Sequence, residues 1–145
     1  MTTDANQGDA NDARSERAQM RRKHVFAVNS SPPFLDVIRE LFQDESDNVT
    51  TTNFVPETLE QVVALQPDLL LIDLVVRARA GWELLEHLKA DAQTSAIPVI
   101  VTSTNPRMLE HAAKDQSRYA GNRYIVKPFD IDEIIGAVRE LIGTA

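Results

Sequence analysis

The chain has 145 residues, 43% hydrophobic and 26% charged, with no cysteine and a formal net charge of −7, the composition of one ordinary globular domain long enough for a sizeable core. Disulfides and thiolate chemistry are excluded, and no apolar run approaches the roughly 20 residues that a membrane helix needs. Residues 1–23 carry five Lys or Arg against four acids and the remainder ten against eighteen, so the globule repels a phosphate backbone and no nucleic-acid partner is expected.

Residues 1–23 are polar, rich in Ala, Asp and Asn and without periodicity, and read as a disordered tail. They contain no apolar h-region, so no secretory signal is expected and the expected compartment is the cytoplasm. Their one basic cluster, MRRK (Met20–Lys23), reads as a solvated lead-in to the first strand. A single domain is expected over 24–145.

That domain opens on an apolar run, Val25–Val28, followed by Asn29, Ser30, Ser31, Pro32 and Pro33, a stretch with no charge at all. Pro33 suits a first helical turn, and Phe34, Leu35, Ile38, Leu41 and Phe42 form the stripe of an amphipathic helix. Val49–Phe54 is a weaker, Thr-rich candidate strand. Leu69–Ile72, LLLI, shows no alternation and reads as a strand covered on both faces, as in a parallel sheet. Trp82, Leu85 and Leu88 make a second stripe, and Pro98–Val101 and Tyr124–Val126 two further strands. Ile131, Ile134, Ile135, Val138, Leu141 and Ile142 make the last stripe, preceded by Asp130 and Glu133 in capping-box relation. Strands alternating with helices on short loops predict a doubly wound α/β sheet of five strands and five helices.

Loops leaving the carboxyl ends of such strands gather on one edge. That edge should display Asn29, Ser30, Asp73, Ser103 and Lys127, so that an acid, a hydroxyl and an amine converge from three strand ends. Burying an unpaired carboxylate is costly, which marks Asp73 as a site residue and Lys127 as its simplest partner. His24, His87 and His111 have no metal-ligand spacing and read as surface residues; Tyr124 and Trp82, taken alone, read as packing.

With these positions placed, the chain from His24 to about Ile142 resembles a two-component response-regulator receiver domain. PDLLLIDLVVRARAGWELLEHLK puts Asp73 at a strand end with Gly81 eight residues on, where receivers carry their phosphoacceptor and loop glycine. IPVIVTS puts Ser103 at the family's hydroxyl position. YIVKPF supplies its lysine as Lys127, followed by Pro128 and Phe129, and its switch aromatic as Tyr124. The resemblance implies a flavodoxin-like five-stranded parallel sheet, order 2-1-3-4-5, with helices on both faces and a cis Lys127–Pro128 bond.

It also implies a signalling switch and not an enzyme. A phosphoryl group passes from a histidine kinase to Asp73, Lys127 and Ser103 bind its oxygens, and Ser103 and Tyr124 reshape the helix 4–strand 5–helix 5 face. The expected partners are a histidine kinase or another signalling protein, or a second copy through that face, with no membrane. In the family, two acids at the end of the first strand help hold Mg²⁺; Asn29 and Ser30 align with them. Mg²⁺ prefers carboxylate oxygen and keeps several waters, so Asp73 alone should bind it weakly or not at all, and no other cofactor is expected. Two more departures matter. The loop VVRARAG offers Arg77 and Arg79, which either reach Asp73 or point to water. Thr104 replaces a small residue and should crowd phosphoryl entry.

The resulting expectation is a stand-alone receiver with a degenerate Mg²⁺ site acting through protein–protein contacts. The alternatives are a phosphate-independent pseudo-receiver and, more remotely, a flavodoxin-like cofactor binder. Pro32 and Pro33 remove two N–H donors that a flavin phosphate would need. A haloacid-type phosphatase is also disfavoured, because Val75 stands where its second Asp belongs.

Overall fold

The computed structural model describes residues 23–29, 32–44, 48–52, 57–75 and 77–143, with side chains of the first helix described from residue 36 to 42. The expected tail therefore lies outside the described residues, apart from Lys23, as do Ser30, Ser31, Asn53 and Phe54.

Among the described residues five strands and five helices alternate: β1 (His24–Val28), α1 (Pro32–Asp44), β2 (Asn48–Thr52), α2 (Thr58–Leu65), β3 (Leu69–Asp73), α3 (Ala80–Ala90), β4 (Val99–Ser103), α4 (Pro106–Lys114), β5 (Arg123–Val126) and α5 (Ile131–Ile142). All adjacent strands pair in parallel, in the order β2-β1-β3-β4-β5. The expected topology is present.

Sequence pattern accounts for the layers. Every residue of β3 (LLLID) and β4 (VIVTS) is buried, because helices cover both faces of these central strands. On one face Val25, Ala27, Leu69, Leu71 and Ile100 pack with Ile38 and Phe42 of α1 and Ile134 and Val138 of α5. On the other, Phe26, Val28, Leu70, Ile72 and Val101 pack with residues of α2, α3 and α4, including Val62, Leu85 and Leu109. Each of the Val, Leu, Ile and Phe side chains among them contributes about 1.5–3 kcal/mol on burial. In contrast, β2 (NVTTT) is partly exposed throughout, as suits an edge strand.

The helix signals are met unevenly. At α4, Asn105 is the N-cap, its side chain accepting from the Arg107 N–H at 3.0 Å, and Pro106 takes the first helical position. At α5, Asp130 does occupy the N-cap with extended backbone, but its side chain makes no capping hydrogen bond. The expected capping box is not formed there. Backbone N–H groups of Glu133 and Ile134 instead turn to the Asp130 carbonyl.

Candidate functional site at the carboxyl edge of the sheet

Asp73 is the last residue of β3, and the strand delivers its carboxylate to the carboxyl edge with only 7% of the residue exposed. Lys127 follows β5, and its Nζ lies 2.9 Å from Asp73 Oδ1. The expected ion pair is present. Its side chains are 9% and 18% exposed for Asp73 and Lys127 respectively, so the attraction acts with little screening and each charge depends on the other for compensation. The Lys127 backbone N–H donates to the Ser103 carbonyl at 2.8 Å, which ties the lysine's segment to the end of β4. The Lys127–Pro128 peptide is cis.

A second donor reaches the same oxygen. Thr102, with no exposed surface, donates from Oγ1 to Asp73 Oδ1 at 2.7 Å. Thr102 pairs in register with Asp73 across β3 and β4, and paired residues project to the same face. Ser103, one residue on, therefore projects to the other face. There its Oγ accepts from the Asn105 N–H at 3.1 Å and lies 3.9 Å from Met108 Sδ. So the hydroxyl expected from Ser103 at the acid is supplied by Thr102, while Ser103 shapes the entry to α4. Strand alternation alone makes one of two adjacent hydroxyls face Asp73; choosing between them needs the register.

The remaining expected positions divide. Asn29 follows β1 and is 2% exposed, its backbone N–H donating to the Thr52 carbonyl at 3.1 Å. Its neighbour Ser30 lies outside the described residues. Arg77 and Arg79 are exposed, and among the described residues the ion-pair partner of Asp73 is Lys127, not an arginine. Arg77 adopts φ 67°, a left-handed conformation that few non-glycine residues take. Thr104 is exposed and, with Lys127 and Phe129, lines a groove of about 440 Å³ between α1 and α5.

Tyr124 is half-buried, and its hydroxyl is enclosed with no hydrogen-bond partner among the described residues. Its ring rests on Gly121, where a Cβ would come within 2.8 Å of the tyrosine Cζ. Glycine at 121 makes that ring position available. Trp82 stands edge-on to Tyr119 (5.0 Å) and His111 (5.4 Å), packing α3 against α4 and the segment after it. The expectation of three surface histidines needs one correction. His24 is half-buried, and its Nε2 lies 2.7 Å from Thr50 Oγ1, because β1 is covered at its start by the neighbouring edge strand. Burial lowers the His24 pKa, against a smaller raising effect of Asp68.

An acid held by a lysine and a hydroxyl at the carboxyl edge of a 2-1-3-4-5 parallel sheet defines a receiver-type α/β module. Residues 25–139 match the model of the response regulator receiver domain. The chain belongs to that family, and is thus a module of two-component phosphorelay signalling.

Among its relatives, the protein PilH of Pseudomonas aeruginosa is 29% identical over 119 residues, covering 82% of this chain and 97% of PilH. The DNA-binding dual master transcriptional regulator RpaA of Synechocystis is 31% identical over 80 residues, 55% of this chain but only 32% of RpaA. The chain thus spans about a third of that longer relative. The chemotaxis protein CheY4 of Vibrio cholerae has the same fold, with a TM-score of 0.70 at 20% identity over 83% of this chain and 98% of CheY4. Receiver domains work with histidine kinases and other signalling proteins. No helix among the described residues is long and apolar enough to cross a membrane.

Proposed function

We propose that this receiver accepts a phosphoryl group on Asp73 slowly and with little help from Mg²⁺, and passes its signal on by protein contact. The observation that carries the reading is the double hold on Asp73 Oδ1 by Lys127 and Thr102, with a buried, uncharged Asn29 just past the end of the neighbouring strand β1. Phosphoryl transfer to a carboxylate depends on positioning and on neutralising charge at the equatorial oxygens. Lys127 supplies one full positive charge at the edge.

The donor set does not fit an ordinary divalent-cation site. Among the described residues no group of three or more His, Cys, Asp or Glu could hold a metal. Mg²⁺ demands near-octahedral oxygen coordination and dehydrates reluctantly. Neutral oxygens from Asn29 and Ser30 do not replace two negative charges, and an ammonium on Oδ1 opposes a second cation there. No step of the transfer is therefore assigned to the metal.

Output is assigned to the α4–β5–α5 side, where Val126 is 42% exposed, either to a signalling protein or to a second copy. The acidic globule argues against nucleic acid as the direct partner of this domain.

The test is labelling with acetyl phosphate, with and without Mg²⁺, beside a calorimetric Mg²⁺ titration. The natural chain should label slowly with little Mg²⁺ dependence, and Asp73→Asn not at all. Asn29→Asp/Ser30→Asp should gain both Mg²⁺ affinity and speed. Sub-millimolar Mg²⁺ binding and labelling within minutes by the natural chain would refute the degenerate site. A second reading, the phosphate-independent pseudo-receiver, is favoured by the same ion pair, since Lys127 compensates the Asp73 charge from within the domain. It is selected if neither the natural chain nor the double variant takes label.

A further inference from the structure

Thr102 is a polar residue near the carboxyl end of the interior strand β4, without exposed surface, where strand neighbours such as Val101 and Ile100 are apolar. A hydroxyl there requires a partner, since an unpaired one costs free energy that a valine of the same shape would not. Its partner is the carboxylate oxygen that also holds the ammonium of Lys127. Two donors, one from β4 and one from the residue that follows β5, thus converge on Oδ1 at 2.7 and 2.9 Å.

We infer that Thr102 is a positioning residue that, with Lys127, pins Asp73 by Oδ1 and presents Oδ2 as the phosphoryl-accepting oxygen. The inference rests on the reading of Asp73 as phosphoacceptor. A carboxylate held at one point can still turn about its Cβ–Cγ bond and offer either oxygen. The Lys127 ammonium is a point charge on a flexible stem and does not fix that rotation by itself. The Thr102 hydroxyl comes from a rigid central strand in register with Asp73, and β-branching stiffens its χ1. With both contacts made, Oδ2 approaches the donor's phosphorus with its lone pair. The Oδ2–P bond forms as the bond from phosphorus to the donor's leaving atom breaks; with acetyl phosphate the leaving group is acetate, which departs with the bonding pair. No proton moves in this step, because the nucleophile is already a carboxylate.

The experiment compares Thr102→Val with Thr102→Ser in acetyl phosphate labelling. If Thr102 acts through its hydroxyl, the isosteric valine slows maximal labelling by about tenfold, the rate equivalent of one hydrogen bond to a charged group. The concentration of acetyl phosphate giving half-maximal rate should stay the same, and serine should return the rate to within about twofold of the natural chain. A residue that merely fills space predicts the reverse order, since valine keeps the volume and serine leaves a methyl-sized void. That order, or equal rates for all three, overturns the inference.

Failure of the phosphoacceptor reading is seen separately, as absent labelling of the natural chain or labelling that survives Asp73→Asn. A cycle of Thr102→Val with Asp73→Ala in urea unfolding then tests the contact itself. Additive effects in that cycle overturn the pinning of Asp73 by Thr102, and a coupling between the two supports it.

Discussion

The two ends of the sheet each place a threonine hydroxyl against a titratable side chain, and they resolve burial in different ways. At the carboxyl edge, Thr102 and Lys127 meet Asp73, so a buried charge is compensated by an opposite charge and a hydroxyl. At the amino edge, Thr50 meets His24, whose main-chain N–H also donates to Asp68 Oδ2 at 2.8 Å. There burial outweighs Asp68 and holds the ring towards its neutral form. One end keeps its charges by pairing them; the other gives its charge up. A group that can release a proton near neutrality has that second option, whereas a carboxylate and an ammonium placed together do better ionised.

The largest effect is expected at the carboxyl edge. Lys127→Met should destabilise the domain by about 3 kcal/mol, because Asp73 is left buried without its counter-charge. Urea unfolding measures this, and a loss indistinguishable from zero would mean that the carboxylate finds water instead. Removing both charges sharpens the point: Asp73→Leu/Lys127→Met should recover most of that stability, since paired burial adds little beyond well-packed apolar groups. Equal stability of the single and double variants would contradict it.

At the amino edge the expected effect is smaller and depends on pH. The folded-state pKa of His24 is lowered, so the unfolded chain binds the proton more readily. Stability is then full above the ordinary histidine value of about 6.5 and falls as pH drops towards the lower folded value. His24→Gln should flatten this part of the stability–pH curve. Parallel curves for the two proteins would remove His24 from the account.

The smallest effect is expected on the surface. Arg118 and Glu86 form a 2.7 Å ion pair with both side chains more than a third exposed. Glu86→Gln should leave the urea midpoint unchanged within error, because water and salt screen such a pair. A loss comparable to that of Lys127→Met would show that burial is not what separates the two kinds of pair.

Local pattern alone determined a good deal of this protein. The unbroken apolar runs of β1, β3 and β4, the 3.6-residue stripes in α1, α3 and α5, and the turn residues between them specify a doubly wound sheet. Asp73 and Lys127 were legible as site residues because charged groups at the ends of apolar strands must meet each other or water. The absence of acids at Asn29 and Ser30 is likewise a fact of sequence. The tertiary structure decided what depends on register and on neighbours distant in the chain. Thr102 and Ser103 are adjacent hydroxyls at the end of one buried strand, and only the pairing of Asp73 with Thr102 sends the former to the acid and the latter to α4. Asp130 stands in capping position yet caps nothing with its side chain. His24, a polar residue just after the basic MRRK cluster, is half-covered because β2 pairs beside it. A two-residue period leaves a strand's register undefined until its partner is in place, and burial of a polar side chain is likewise a property of its neighbours.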